Sequence, residues 1–132
     1  MTPYSYQRIE MPEIGVLRYN ILGLETNAET EPGLVSICRK LEDEPHWSGV
    51  LIDHSQSQIS YTLTEFNQRV EYAIKNFPQR VKLAYVYNPR TLVISARTTK
   101  MLNAAGINAQ AFANADEALA FLKSNESWTR QA

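Results

Sequence analysis

The chain has 132 residues, 44% of them hydrophobic and 20% charged, with a formal net charge of −1. That is the size of one ordinary domain with a real core, and the charge balance excludes the basic face that nucleic acid or an anionic membrane requires. The single Cys38 excludes an internal disulfide, and with only His46 and His54 beside it the chain offers a poor ligand set for a metal.

The first ten residues, MTPYSYQRIE, have neither the basic leader nor the apolar centre of a signal peptide. No window approaches the roughly eighteen apolar residues of a membrane span. A cytoplasmic protein is therefore expected. Tyr4 to Glu10 reads as a strand, with Tyr4 and Tyr6 on one face, and Met11-Pro12-Glu13 as a turn. Ile14 to Leu22 reads as a second strand, because Leu17, Tyr19 and Ile21 recur at period two. The short connection makes the two an antiparallel hairpin, ended by Gly23. Pro32 suits the first turn of a helix and not its interior, so the next helix is placed at Pro32 to Leu41. Its inner stripe is Leu34, Ile37, Cys38 and Leu41. Cys38 on that stripe reads as a small buried apolar group.

Trp47 to Asp53 is a strand whose unbroken run Val50-Leu51-Ile52 suits burial on both faces. Asp53 to Tyr61 then reads as a long polar loop. Thr62-Leu63-Thr64-Glu65 is a capping box that opens a helix with Phe66, Val70, Ile74 and Phe77 inside, stopped by Pro78. Val81 to Tyr87 alternates as a strand. Asn88 reads as an N-cap with Pro89 at the first helical position. The helix that follows carries Ile94, Thr98, Met101, Leu102 and Ala105 inward and ends at Gly106. A short strand, Asn108 to Phe112, precedes a last helix capped by Asn114, with Ala115, Ala118, Leu119 and Leu122 inward. The order β-β-α-β-α-β-α-β-α predicts an α/β fold with a mostly parallel sheet, an N-terminal antiparallel hairpin and helical cover. Residues 1–124 are read as one domain and 125–132 as a short tail, whose Trp128 is large enough to dock back.

In such sheets ligands and partners meet the loops at the carboxyl ends of the parallel strands. The candidate surface is therefore Asp53, His54, Ser55, Tyr61, Tyr87, Asn88, Arg90, Leu92 and Val93. Asp53 at a strand end resembles a receiver phospho-acceptor, but the acidic pair and lysine of receivers are missing, so an Asp that bonds turn N–H groups is expected. Asp53 and His54 are neighbours on a strand and point to opposite faces, so they make no dyad with each other. If Ile94 faces the sheet, Leu92 and Val93 cannot both do so, because adjacent helical residues diverge. They are then available to line an apolar cleft or a subunit contact, with Tyr61, Tyr85 and Tyr87 nearby. No Gly-x-Ser-x-Gly elbow and no glycine-rich phosphate cradle occurs, so neither a hydrolase nucleophile nor a cofactor is expected.

Three stretches, Val50 to Ser55 (VLIDHS), Arg80 to Asn88 (RVKLAYVYN) and Gly106 to Leu122 (GINAQAFANADEALAFL), carry a resemblance to the SpoIIAA-like proteins of the STAS superfamily, the sulphate-transporter and anti-sigma-factor-antagonist domains. The resemblance runs from the first hairpin to Leu122. It implies a four- to five-stranded mixed sheet, helices packed mainly on one side, and regulatory protein contact without catalysis, sometimes with an apolar ligand in a cleft. The phosphorylated antagonists carry an Asp-Ser-Ser-Gly-like motif where this chain has Ile59-Ser60-Tyr61-Thr62, so no phosphosite is carried over.

The leading expectation is a non-enzymatic regulatory or binding module with a protein partner. Its rivals are a carrier of a small apolar ligand in a cleft beside the sheet, and a small enzyme using Asp53 and His54. A homodimer through a strand edge or helix face stays open.

Overall fold

The computed structural model describes residues 2–124, and the tail with Trp128 lies outside them. Strands β1 (Ser5–Met11) and β2 (Val16–Thr26) pair antiparallel from Met11↔Val16 to Ser5↔Leu22. The turn between them closes with Gly15 N–H donating to Pro12 O at 3.2 Å, and Gly15 sits at φ +69°, where glycine carries no steric cost. Strands β3 (Gly49–Ser60), β4 (Lys82–Val86) and β5 (Ala109–Phe112) add in parallel, giving the spatial order β1-β2-β3-β4-β5. The mixed five-stranded sheet and the element order are those expected from the sequence.

Each strand lies beside the next in sequence. Three successive crossovers of one hand must then stack their helices on one face. Helices α1 (Asn27–Asp43), α2 (Leu63–Asn76) and α3 (Leu92–Ala104) accordingly send Cys38, Leu41, Phe66, Val70, Ala73 and Leu102 onto Leu17, Val50 and Leu83. Helix α4 (Ala115–Lys123), which no strand follows among the described residues, covers the opposite face, where Ala118 and Leu122 meet Val16, Leu51, Ala84 and Val86. Alternation along each strand separates the two layers. Fully buried Leu17, Leu41, Leu51 and Leu102 each contribute about 1.5–3 kcal/mol by burial.

Four expectations are corrected. First, Gly23 does not end β2, and Asp53 to Tyr61 is not a loop. Both strands run on, pairing from Leu22↔Gln56 to Thr26↔Ser60 after a bulge that gives β3 one extra residue. Main-chain pairing is indifferent to Ser and Gln side chains, and the bulge shifts the alternation that marks a strand. Second, α1 begins at Asn27, with Pro32 inside it. Its first turn is fixed before the proline: Thr26 N–H donates to Glu29 Oε2 at 3.3 Å, and the Thr30 hydroxyl donates to Thr26 O at 3.1 Å. The lost proline donor is thus tolerated despite a usual cost of about 3 kcal/mol. Third, α3 is capped at Thr91 and starts at Leu92, while Asn88 heads the turn before it. Fourth, Ile74 is 40% exposed and Ala73 takes the inward place on α2.

Candidate functional site

The extension of β2 and β3 brings Glu25 and His54 together under the helices. Glu25 is 3% exposed and His54 7%, and Glu25 Oε2 lies 2.9 Å from His54 Nδ1. A carboxylate this deep needs a partner, because desolvation is expensive. The approach is off a well-directed hydrogen bond, however, and Glu25 Oε2 accepts none among the described residues. His54 Nδ1 instead sits 3.2 Å from Ser57 Oγ, whose hydroxyl donates to His54 O at 3.3 Å. The Tyr85 ring stacks on the imidazole at 5.9 Å and 13°.

Beside this pair is a cavity of about 160 Å³ between the sheet and α1–α3. Ile52, Tyr85, Ile94 and Thr98 line it and are only half-buried, although Ile52 and Tyr85 sit on inner strands. The walls continue through Ile21, Leu34, Ile37, Phe66 and Val70. On the β1 side Tyr6 and Arg8, with Gly33 and Ser36 of α1, both line the cavity and reach the surface, so the space opens between β1 and α1. Gly33 leaves a gap there, since an added Cβ would meet nothing within 4 Å.

Polar atoms collect at one end. Arg69 Nε and Nη1 and Ser95 Oγ are buried and make no hydrogen bond among the described residues. The Tyr61 hydroxyl donates to Thr30 Oγ1 at 2.9 Å. Burial, reinforced by the Glu25 charge, pushes the Tyr61 and Tyr85 hydroxyls well above the ordinary value. The same two causes push Tyr4 up to about 12. Burial alone raises the Cys38 thiol to about 11, which suits a packed group and not a nucleophile.

Of the residues singled out from the sequence, His54 and Tyr61 line this cavity. Asp53 faces the other side of the sheet, 3.4 Å from Arg18 Nη2, and its Oδ1 accepts the Ser55 N–H at 2.8 Å. Ser55, Asn88 and Arg90 border a separate, shallow groove of about 500 Å³ with Gln56 and Pro89. The Tyr87 N–H is spent on Phe112 O at 3.0 Å. Leu92 and Val93 are 41% and 75% exposed and line neither hollow. Asn88 is a latch. Its Nδ2 donates to His54 O, Ser55 O and Ser57 O at 2.9, 3.2 and 2.9 Å, while Oδ1 accepts from Arg90 N–H and Thr91 N–H at 2.7 and 3.1 Å. The bulged part of β3 that presents His54 is thereby pinned to the start of α3.

Sequence reasoning missed Glu25, Arg69 and Ser95. Glu25 sits in the half of β2 read as lying past its end, and reading Leu22 to Thr26 as strand would have placed it on the inner face. Arg69 and Ser95 lie on helices, one turn or less from inward-facing Phe66 and Ile94, and only three-dimensional proximity marks them out.

No family model and no curated protein matches the chain. Among solved structures it is similar to an uncharacterised DUF3478-family protein with a SpoIIAA-like fold from Shewanella loihica PV-4, at 13% identity and a TM-score of 0.63, covering 92% of this chain and 97% of that one. It is also similar to the anti-sigma factor antagonist SpoIIAA in its unphosphorylated form, at 11% identity and a TM-score of 0.59, covering 90% and 98%. Both likenesses run over nearly the whole of each chain, and at these identities they define architecture. The chain has an α/β SpoIIAA-like fold.

Proposed function

We propose that this protein is a non-enzymatic binding module that holds a small, mainly apolar molecule between its sheet and α1–α3. The carrying observation is the cavity of about 160 Å³ at the place where a filled core is the norm for packed interiors. An apolar cavity of about 150 Å³ takes up a benzene-sized guest, so a single aromatic ring or a short chain fits here. Aromatic and aliphatic walls with a few polar groups at one end are the usual make-up of a ligand site. Asp53 and His54 face opposite sides of the sheet, so one acid–base step cannot use both. Native mass spectrometry and titration with toluene test the reading. A co-purifying small molecule or saturable toluene uptake, lost in Ala73→Leu, is expected; a bare mass together with no uptake by the unmodified protein overturns it.

A second reading, contact with a regulatory protein at the carboxyl edge, is favoured by the adjacent exposed Leu92 and Val93 beside the Asn88–Arg90 groove. The similarity to an anti-sigma factor antagonist agrees with it. Replacement of both residues by Ser should change the oligomeric state or the binding of hydrophobic dyes. No change in either removes the edge as an apolar contact.

A further inference from the structure

The walls of the cavity account for an apolar guest, but its polar end does not need one. Glu25 Oε2, Arg69 Nε and Nη1, and Ser95 Oγ are all buried without a hydrogen bond among the described residues. Glu25 and Ser95 are each 3% exposed, and both line the cavity with Arg69. Glu25 and Arg69 each have one ionic neighbour, His54 Nδ1 at 2.9 Å and Glu31 Oε2 at 3.6 Å, yet the named atoms and Ser95 Oγ keep hydrogen-bonding capacity that buried polar groups nearly always fill. Glu25, Arg69 and Tyr61 line the same cavity, and both charges are felt at the Tyr61 hydroxyl, Glu25 raising its pKa and Arg69 lowering it.

The two charges select the head group. A guest carboxylate would meet Glu25, and a guest ammonium would meet Arg69, each a like-charge contact in a poorly screened space. An uncharged hydroxyl donates one hydrogen bond and accepts others through a single oxygen, so it answers a carboxylate and a guanidinium together. Resting on the cavity reading above, we propose that the guest is a small neutral molecule with an apolar body and one hydroxyl, of the phenol or short-alcohol class, whose O–H donates to Glu25 and whose oxygen accepts from Arg69 or Ser95.

Four probes of similar size and different head group test this by equilibrium titration at neutral pH: toluene, phenol, benzoate and benzylamine. Phenol should bind at least about ten-fold more tightly than any of the other three, because a site built around a hydroxyl discriminates strongly against its absence. Glu25→Gln should weaken phenol and improve benzoate relative to it. Arg69→Met should weaken phenol and improve benzylamine relative to it. That opposite pair of changes is one that general loosening of the fold does not produce. Equal affinity for phenol and toluene overturns the hydroxyl while leaving the cavity reading intact, and so does tighter binding of benzoate or benzylamine. Binding of none of the four removes the cavity reading and the head group together. Where a variant fails to fold, the comparison of probes on the unmodified protein still decides the matter.

Discussion

Asn88 offers the sharpest test of how the site is held. Its amide orientation is fixed by chemistry: three carbonyl oxygens surround Nδ2 and two N–H groups point at Oδ1. The bonds to Ser55 O and from Arg90 N–H are exposed, so water replaces them easily. The bonds to His54 O and Ser57 O and from Thr91 N–H are partly buried, and each contributes about 1 kcal/mol net. Asn88→Ala should therefore cost about 2–3 kcal/mol, or about 8–12 °C in melting temperature for a chain of this size. Asn88→Asp keeps Oδ1 but aims a second carboxylate oxygen at three carbonyls. It should be less stable than the alanine variant, although it is the closer isostere. Urea unfolding followed by circular dichroism measures both. An aspartate variant as stable as the unmodified protein, or an alanine variant within about 0.5 kcal/mol of it, would refute the latch.

Three further outcomes are expected. Gly33→Ala should stabilise the fold by about 0.5–1 kcal/mol, since Gly33 sits inside α1 and its Cβ meets nothing within 4 Å; a lower urea midpoint would count against that space being open. Gly23→Ala should destabilise by more than about 1 kcal/mol, because Gly23 holds φ +82° within β2 and the carbonyl oxygens of Thr2 and Pro3 occupy the place of a Cβ. A thermal midpoint unchanged in Gly23→Ala would mean that the N-terminal residues do not rest there. Tyr4, Tyr61 and Tyr85 are held protonated above the ordinary value of 10.0, so they add nothing below it, where folded and unfolded chains are both protonated. Stability should then fall as pH rises from about 10 towards 12, where the unfolded chain gains by ionising first. Absorbance titration of the phenolates should show these three lagging, and a single step near 10 for all seven tyrosines would contradict their burial.

The parts of the fold that the sequence displayed are those where side-chain pattern and burial coincide. Val50-Leu51-Ile52 and the alternation from Val81 to Tyr87 lie at the centre of the sheet, paired Val50↔Leu83 and Ile52↔Tyr85. Thr62 and Glu65 cap α2 as their spacing implied, with Thr62 N–H donating to Glu65 Oε1 at 2.9 Å and Glu65 N–H to Thr62 Oγ1 at 3.1 Å. The pattern failed where the main chain carries the structure. Gln56 to Ser60 pairs through peptide groups, and its polar side chains suggested solvent instead. Pro32 suggested a boundary, while the bonds at Thr26 and Thr30 had already set the helix going. The site shared that fate. His54 and Tyr61 were visible as chemistry-bearing residues, but Glu25, 2.9 Å from His54 Nδ1, comes much earlier in the chain and is brought to it only by the parallel pairing of β2 with β3.

The placement of α4 bears on how the chain is made. Helix α4 covers most of Val16, Leu51, Ala84 and Val86, with Met11, Ile14 and Phe112 at the margins, and among the described residues it is the last element in order. The Lys82 ammonium fastens it by donating to Phe121 O at 3.1 Å and Ser124 O at 2.5 Å. A nascent chain emerging from the ribosome can dock α1, α2 and α3 as each unit appears, yet this second apolar surface stays bare until the residues of α4 have been made. Stalled or truncated products ending before Ala118 would present it to chaperones and to one another, so aggregation of such fragments should be governed by this face.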